Sequence, residues 1–221
     1  MGGRHVRRVA VVVCCVVAAV WLDGIVGAGS AAAQTIVDEW SAVKVPPPPE
    51  LKAVTIDPKV SALLILDIQP QTCNAERRPR CLPVVPRIQT LLTRARAKGV
   101  PVIYSLAAGG TAADIFKEVA PQAGDPIVLS AGPDKFLGTD LEKILKDRGI
   151  QTVITVGAAT HGAVLYTASG AALRGFKVIV PVDGTAADNA YAEQYTAWHL
   201  VNAPRVGAQV TLTKIDLIQF P

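Results

Sequence analysis

From residue 51 onward, short apolar runs alternate with segments that have helical spacing. Continuous apolar runs of five to nine residues are typical of strands that are buried on both faces. This pattern predicts strands at 61–67, 101–106, 126–130, 151–157, 176–183 and 210–218. It predicts helices between them at 86–98, 139–148, 163–174 and 188–201. Strands that alternate with helices of this length indicate βαβ units, and therefore an α/β fold with a mainly parallel sheet.

The helix at 139–148 has the clearest boundary signals. Thr139 is predicted as its N-cap, with Glu142 three residues later in the position of a capping box. Gly149 follows its last turn, as is common at helix ends.

The N-terminus follows a different pattern. Arg4, Arg7 and Arg8 precede an apolar run at 9–22, and small residues in A-x-A spacing end at Ala33. This pattern predicts a secretory signal peptide at 1–33 and a periplasmic or secreted protein. The alternative is an uncleaved membrane anchor, but the run is shorter than the roughly 20 residues that a span needs. Four consecutive prolines, 46–49, then mark a Pro-rich segment at 34–50 as a tether or a surface strap.

Composition and charge limit the partners. Of the 221 residues, 50% are hydrophobic and 18% charged, which suits one globular domain with an aliphatic core. Removal of the signal takes away three Arg and one Asp, so the formal net charge falls from +4 to +2. A charge this small and scattered argues against nucleic acid or an anionic membrane surface as partner.

Two cysteines remain after the signal, Cys73 and Cys81, on a loop rich in Pro and Arg. In an oxidising compartment this spacing predicts a disulfide. A redox or metal pair is the alternative, but no His and no second Cys pair lies nearby. His5 belongs to the signal, so only two of the three His remain, too few for a His-rich metal site. With no Gly-rich phosphate loop in the chain, we expect neither a metal nor a cofactor.

Ligands of parallel sheets bind at the carboxyl ends of the strands, so these positions hold the candidate catalytic residues. Asp67 ends the first strand, where a partly desolvated carboxylate suits general acid or base catalysis; the alternative is a turn cap. Lys135 is a candidate cation, or a solvated surface residue. His161, after the fourth strand, suits proton transfer or a hydrogen bond to the backbone.

Four further residues are candidates for substrate binding. Gln69 could bind an amide or a carboxylate, or face solvent, and Phe136 could form a pocket wall or fill the core. The backbone N–H groups of Gly162 and Ala163 begin a helix, which is a natural place for an anion.

Three segments together resemble the isochorismatase-like, or cysteine hydrolase, superfamily. They are ALLILDIQ (62–69), DKFLGTDLEKILKDRGI (134–150) and TVITVGAATHGAVLYTASGAALRGFKVIVPVDG (152–184), and the likeness covers roughly residues 60–202. The resemblance implies a three-layer αβα sandwich with a doubly wound parallel sheet, here an isochorismatase-like domain at 51–221. It also implies a homo-oligomer, because members of this superfamily commonly form dimers or tetramers.

The resemblance also implies a catalytic set of Asp, Lys and a nucleophilic Cys. The Asp falls on Asp67, but the Lys position falls on Ser130 and the Cys position on Ala163. Without a thiolate, the covalent route of the superfamily is not expected. Isochorismatases work without that Cys: an Asp protonates a vinyl ether and water completes the hydrolysis. They carry a His where this chain has His161, and they keep the Lys, a role open here to Lys135.

Two functional hypotheses follow. The first is an exported isochorismatase-like hydrolase that acts on a small molecule without a Cys nucleophile, with Asp67 as acid/base. The alternative is a catalytically inactive member that binds a small ligand or a protein.

Overall fold

A computed structural model describes residue 2, residues 35–129 and residues 132–221. Apart from Gly2, the predicted signal peptide lies outside these residues, as does Ser130. The chain divides into two units, residues 1–45 and 46–221. In the first, the short helix α1 (Ile36–Glu39) begins where the Thr35 backbone N–H and hydroxyl both bond the Asp38 carboxylate. Within the part of the chain that the structure describes, no helix is long and apolar enough to cross a membrane.

The second unit is built on a parallel sheet. Its main strands are β2 (Ser61–Leu66), β3 (Val102–Leu106), β4 (Ile127–Leu129), β5 (Thr152–Ala158), β6 (Lys177–Pro181) and β8 (Val210–Thr213). They lie in the order β4-β3-β2-β5-β6-β8, and β7 (Thr185–Ala186) pairs with the end of β5. A separate parallel pair joins β1 (Val54–Thr55) to β9 (Ile218–Gln219).

The strand order makes the sheet doubly wound. The chain builds outward from β2 to β4, then returns to β5 beside β2 and builds outward on the other side. The topological switch point therefore lies between β2 and β5, which is where open α/β sheets bind ligands. The two strands run in register from Ser61 opposite Thr152 to Leu66 opposite Gly157. Gly157 has φ of 130°, and a Cβ there would collide with the Leu66 carbonyl, so only glycine allows this approach.

Helices cover both faces of the sheet. Alternate residues of β2 enter two different cores: Leu63 and Ile65 pack with helix α2 (Val85–Ala97) on one face. Leu64 packs on the other face. That face is covered by helices α3 (Leu141–Asp147), α4 (Leu165–Leu173) and α5 (Ala190–Asn202). The structure thus confirms the predicted α/β class, the parallel sheet and the three-layer αβα sandwich.

Two predicted boundaries were wrong. Helix α3 begins after Asp140 rather than after Thr139. The Thr139 hydroxyl does not act as the predicted cap, because it donates to the Lys135 carbonyl and accepts only from the Leu141 N–H, at 3.2 Å. Glu142 bonds Lys146 and Arg174 instead of closing a capping box. The last strand also divides, because a short 3-10 turn at Ile215–Leu217 separates β8 from β9.

Candidate active site

Asp67 follows β2 directly and is held there by the neighbouring strand. Its backbone N–H donates to the Ser105 carbonyl at 3.2 Å, and its Oδ1 accepts the Ser105 hydroxyl at 2.6 Å. The Asp67 carbonyl accepts a hydrogen bond from Thr72. Asp67 has φ of 53°, a left-handed conformation that is uncommon for residues other than glycine and often found at functional sites. The carboxylate is therefore fixed, in a strained backbone, at the switch point of the sheet.

Lys135 supplies the cation for this carboxylate. Its Nζ lies 2.8 Å from Asp67 Oδ2 and donates to the Gly132 carbonyl at 3.2 Å. The residue is only 1% exposed, so both charges of the pair are largely removed from water. Such a pair is stable only while both partners are present, because either charge alone would be costly to bury. The spacing of the resemblance assigns the partner of Asp67 to residue 130. In the structure Lys135 is the residue that contacts Asp67.

The carboxyl end of β5 has a different character. The strand ends at Ala158, and a turn at Thr160–Val164 leads into α4. Ala163, which stands at the nucleophile position of the resemblance, is 4% exposed and lines the same space as Asp67. Its methyl group can neither attack a carbonyl nor accept a proton. This side of the site therefore offers contact area and no nucleophile.

Asp67, Lys135 and Ala163 share one open cavity of about 220 Å³ at the switch point. Small residues form much of its wall: Ala107, Ala108, Gly132, Pro133, Ala158 and Ala159. Thr72, Arg77 and Arg78 complete the lining. A volume of this size suits a small molecule.

A disulfide closes the loop beside this cavity. The structure confirms the predicted Cys73–Cys81 bond, with a Cα–Cα distance of 5.3 Å. Within the loop, Arg78 is buried, donates through Nε to Asp188 Oδ1 at 2.7 Å, and also bonds the Thr72 carbonyl. Arg80 makes a two-pronged contact with Glu193, which raises the pKa of Arg80. The disulfide thus closes the loop on itself, and the two ion pairs attach the loop to the start of α5.

Two of the predicted binding residues lie away from the cavity lining. Gln69 is fully buried, accepts from Ala107 N at 3.1 Å and donates to Gln71 at 3.1 Å, so its amide holds the loop after β3. Phe136 is in the core, 6.2 Å from the Phe176 ring centroid. Both side chains therefore contribute to packing and do not line the cavity.

The turn after β5 also differs from expectation. The Gly162 N–H already donates to the Ala159 carbonyl at 3.0 Å, so it does not serve as an open anion donor. His161 does not line the cavity; its Nε2 lies 3.9 Å from Asp188 Oδ2 at the side of the loop. Of the three catalytic candidates, the structure brings together Asp67 and Lys135 and leaves His161 outside.

The sequence assigned no role to Ser105, Thr72, Arg77 or Arg78. Ser105 lies next to the end of β3, the neighbour of β2, so strand adjacency was the signal that could have found it. Thr72 and the two arginines lie on a loop with no periodic pattern. Over the described residues there is no group of three or more His, Cys, Asp or Glu side chains that could hold a metal ion.

Comparison with known proteins identifies the family. The profile of the isochorismatase domain matches residues 61–214, most of the second unit and both strand ends of the site. The chain belongs to the isochorismatase family of hydrolases. The secreted isochorismatase effector Isc1 of Verticillium dahliae is 30% identical over 134 residues, which are 56% of this chain and 70% of the effector.

Other members of the family extend the comparison. The N-carbamoylsarcosine amidase of an Arthrobacter species is 30% identical over 125 residues, which are 44% of this chain and 47% of the amidase. The chain thus spans about half the length of that relative. A cysteine hydrolase structure from Pseudomonas syringae superposes with a TM-score of 0.64 at 25% identity, covering 76% of this chain and 94% of that one. These likenesses agree with the isochorismatase family and its α/β sandwich.

Proposed function

We propose that this member of the isochorismatase family is an exported hydrolase that cleaves a small molecule without a covalent intermediate, with Asp67 as acid/base. The observation that carries the proposal is the buried Asp67–Lys135 pair, 2.8 Å apart, facing the same cavity as Ala163. A carboxylate with a neighbouring ammonium group can move a proton, whereas a methyl group at the nucleophile position cannot form an acyl-enzyme.

A vinyl ether is the substrate that this set of residues fits best. The Lys135 ammonium group protonates Asp67, which delivers this proton to the terminal carbon of the double bond, and the electrons of that bond form the new C–H bond. Water then adds to the resulting oxocarbenium ion and loses a proton to Asp67, which passes it back to Lys135. The hemiketal collapses to a ketone and an alcohol. No step needs a nucleophile from the protein, which agrees with Ala163.

Export is supported by two observations. The Cys73–Cys81 disulfide is the kind of bond that persists in oxidising compartments. One relative bears the name of a secreted isochorismatase effector. A small molecule met outside the cytoplasm is accordingly the proposed substrate class.

A binding role without catalysis is the second candidate. The observation that favours it is the apolar end of β5, where Ala158, Ala159 and Ala163 line the cavity. A protein of this kind would show ligand-induced thermal shifts and no turnover of any substrate.

The test is a hydrolysis screen of the oxidised protein against vinyl ethers, amides and carbamoyl compounds. Asp67→Asn should lower kcat/KM for the vinyl ether by about 10²- to 10⁴-fold, the usual contribution of a positioned acid or base. Asp125→Asn is the matched control, because Asp125 pairs with Arg96 away from the cavity. It should change the rate less than about threefold, within the range of surface substitutions.

A second, milder variant tests the role of Asp67 even where Asp67→Asn does not fold. Ser105→Ala removes one hydrogen bond to Asp67 and leaves the ion pair in place, so it should lower kcat in a protein with normal circular dichroism. Equal activity of Asp67→Asn and the unmodified protein would reject Asp67 as the acid/base. Thermal shifts without turnover would favour the binding role.

A further inference from the structure

The cations that line the cavity differ in how their charge is balanced. The charge of Lys135 is offset by Asp67, and that of Arg78 by Asp188 at 2.7 Å. The Arg77 guanidinium makes no hydrogen bond and no ion pair with any residue that the structure describes. Arg77 is exposed as well as lining the cavity, so it lies where the cavity opens to solvent. Its charge is therefore available to a ligand.

The loop holds the Arg77 backbone in place. The Cys73–Cys81 bond closes the loop around it, and the Arg77 backbone N–H donates to Asn74 Oδ1 at 2.8 Å. After Arg77 along the loop, Arg78 is tied to Asp188 and Arg80 to Glu193. A side chain presented by a fixed backbone loses less entropy when it binds a ligand, so this arrangement favours recognition.

The remaining walls determine the body of the ligand. Apart from Thr72 and the charged residues, the cavity is lined by alanine, glycine and proline. Such walls give a small apolar group contact area with few hydrogen-bond partners. The site thus combines largely apolar walls, the Asp67–Lys135 pair and one unbalanced cation at the opening.

We propose that Arg77 is the specificity-determining residue of this site, and that it binds the carboxylate of a small substrate with an apolar body. This inference rests on the proposed function, because it assigns the class of molecule on which Asp67 acts. A guanidinium group binds a carboxylate through two parallel hydrogen bonds. A singly charged carboxylate also matches the one unbalanced charge of Arg77, whereas the second charge of a phosphate dianion would find no further unbalanced cation among the residues that line the cavity.

Binding of two probe molecules tests the proposal without requiring turnover. Benzoate and benzamide have nearly the same shape, but only benzoate carries a charge. Calorimetric titration of the intact, oxidised protein should show tighter binding of benzoate. Arg77→Gln should weaken benzoate by about ten- to a hundredfold, the usual range for a charge-assisted hydrogen bond, and leave benzamide unchanged. The benzoate affinity of Arg77→Lys should lie between those of the unmodified protein and Arg77→Gln, because Lys keeps the charge and loses the two-pronged geometry.

Arg80→Gln is the matched control. It removes the same charge from the same loop, but Arg80 is paired with Glu193 and does not line the cavity. Benzoate affinity should stay within about twofold of the unmodified protein, since an exposed charge beyond the contact is largely screened. An equal loss in both variants would show a general charge effect and overturn the assignment.

Three other results would also overturn it. They are equal affinity of the unmodified protein for benzoate and benzamide, unchanged benzoate binding by Arg77→Gln, and tighter binding of phenyl phosphate than of benzoate. Failure of the proposed catalysis is distinguishable, because it would appear as unchanged turnover in Asp67→Asn, whereas the benzoate titrations require no turnover. Asp67→Asn removes one negative charge and should keep or strengthen benzoate binding.

Discussion

The carboxyl ends of β2 and β5 face one cavity and carry opposite chemistry. At the end of β2, Asp67 is bonded to Ser105 and Lys135, and all three side chains are nearly buried. At the end of β5, the corresponding positions are Ala159 and Ala163. The first end has the groups for proton transfer, while the second has none for covalent attack.

The difference shows which part of the family's chemistry the protein can retain. Amide hydrolysis through a thiolate needs both strand ends, because the nucleophile and its acid/base come from different ones. Proton transfer followed by attack of water needs only the end of β2. The fold around both ends is the same doubly wound sheet, so the reaction that we propose would differ at the end of β5 while the scaffold stays the same.

Removal of the cation at the first strand end should have the largest effect on stability. Lys135→Met leaves the Asp67 carboxylate buried without its partner, which costs about 3–5 kcal/mol of unfolding free energy in comparable pairs. Urea denaturation would measure this cost. The double variant Asp67→Asn/Lys135→Met should recover part of it, because it buries neither charge alone.

An exposed ion pair is the control for that change. Lys143 pairs with Asp147 one turn later on α3, and both side chains are more than half exposed. Lys143→Met should leave the urea midpoint almost unchanged, since exposed pairs contribute little. Similar losses from Lys135→Met and Lys143→Met would contradict the contrast between the buried pair and the protein surface.

The sequence could predict the strand end and could name Lys135 as a candidate cation, but it could not show that Lys135 contacts Asp67. The run SALLILD ends on an acid, and that pattern places Asp67 at the end of a buried strand. The family spacing pointed to Ser130 for the Lys. A lysine side chain, however, has four flexible methylene groups, and Lys135 reaches the carboxylate from another backbone position. The reach of a side chain depends on the loop that carries it, and spacing along the chain does not contain that information.

Residues close to Asp67 in sequence show a second limit of prediction from the sequence. Gln69 is two residues away, yet the left-handed conformation at Asp67 turns the chain, and the Gln69 amide bonds the loop after β3 instead. Arg77 is ten residues away and lines the cavity, because the disulfide loop folds back over it. Periodicity predicted the helices and strands well, since burial repeats along them. It carries no information about irregular loops, where most of the residues that line the cavity lie.

The second prediction concerns the contribution of the disulfide loop, which follows β2, to stability. Cys73→Ser/Cys81→Ser should lower the unfolding free energy by about 2–3 kcal/mol, the chain-entropy value for closing a loop of this length. Denaturation in urea, with and without reductant, would measure it. Reductant should have no effect on the double variant. A loss of less than about 1 kcal/mol would mean that the ion pairs of Arg78 and Arg80 hold the loop without the disulfide.

The smallest change in stability is expected at the second strand end, where Ala163→Cys adds one sulfur atom beside the cavity. The cost should stay below about 1 kcal/mol, because the neighbouring space can accept the added volume. The thiol should nevertheless be alkylated by iodoacetamide in the folded protein, and the attached group should block vinyl ether turnover. Ala168→Cys is the control: Ala168 is fully buried in α4, so it should react only after denaturation. Peptide mapping by mass spectrometry distinguishes the two, and protection of both thiols in the folded protein would show that the end of β5 is closed to substrate.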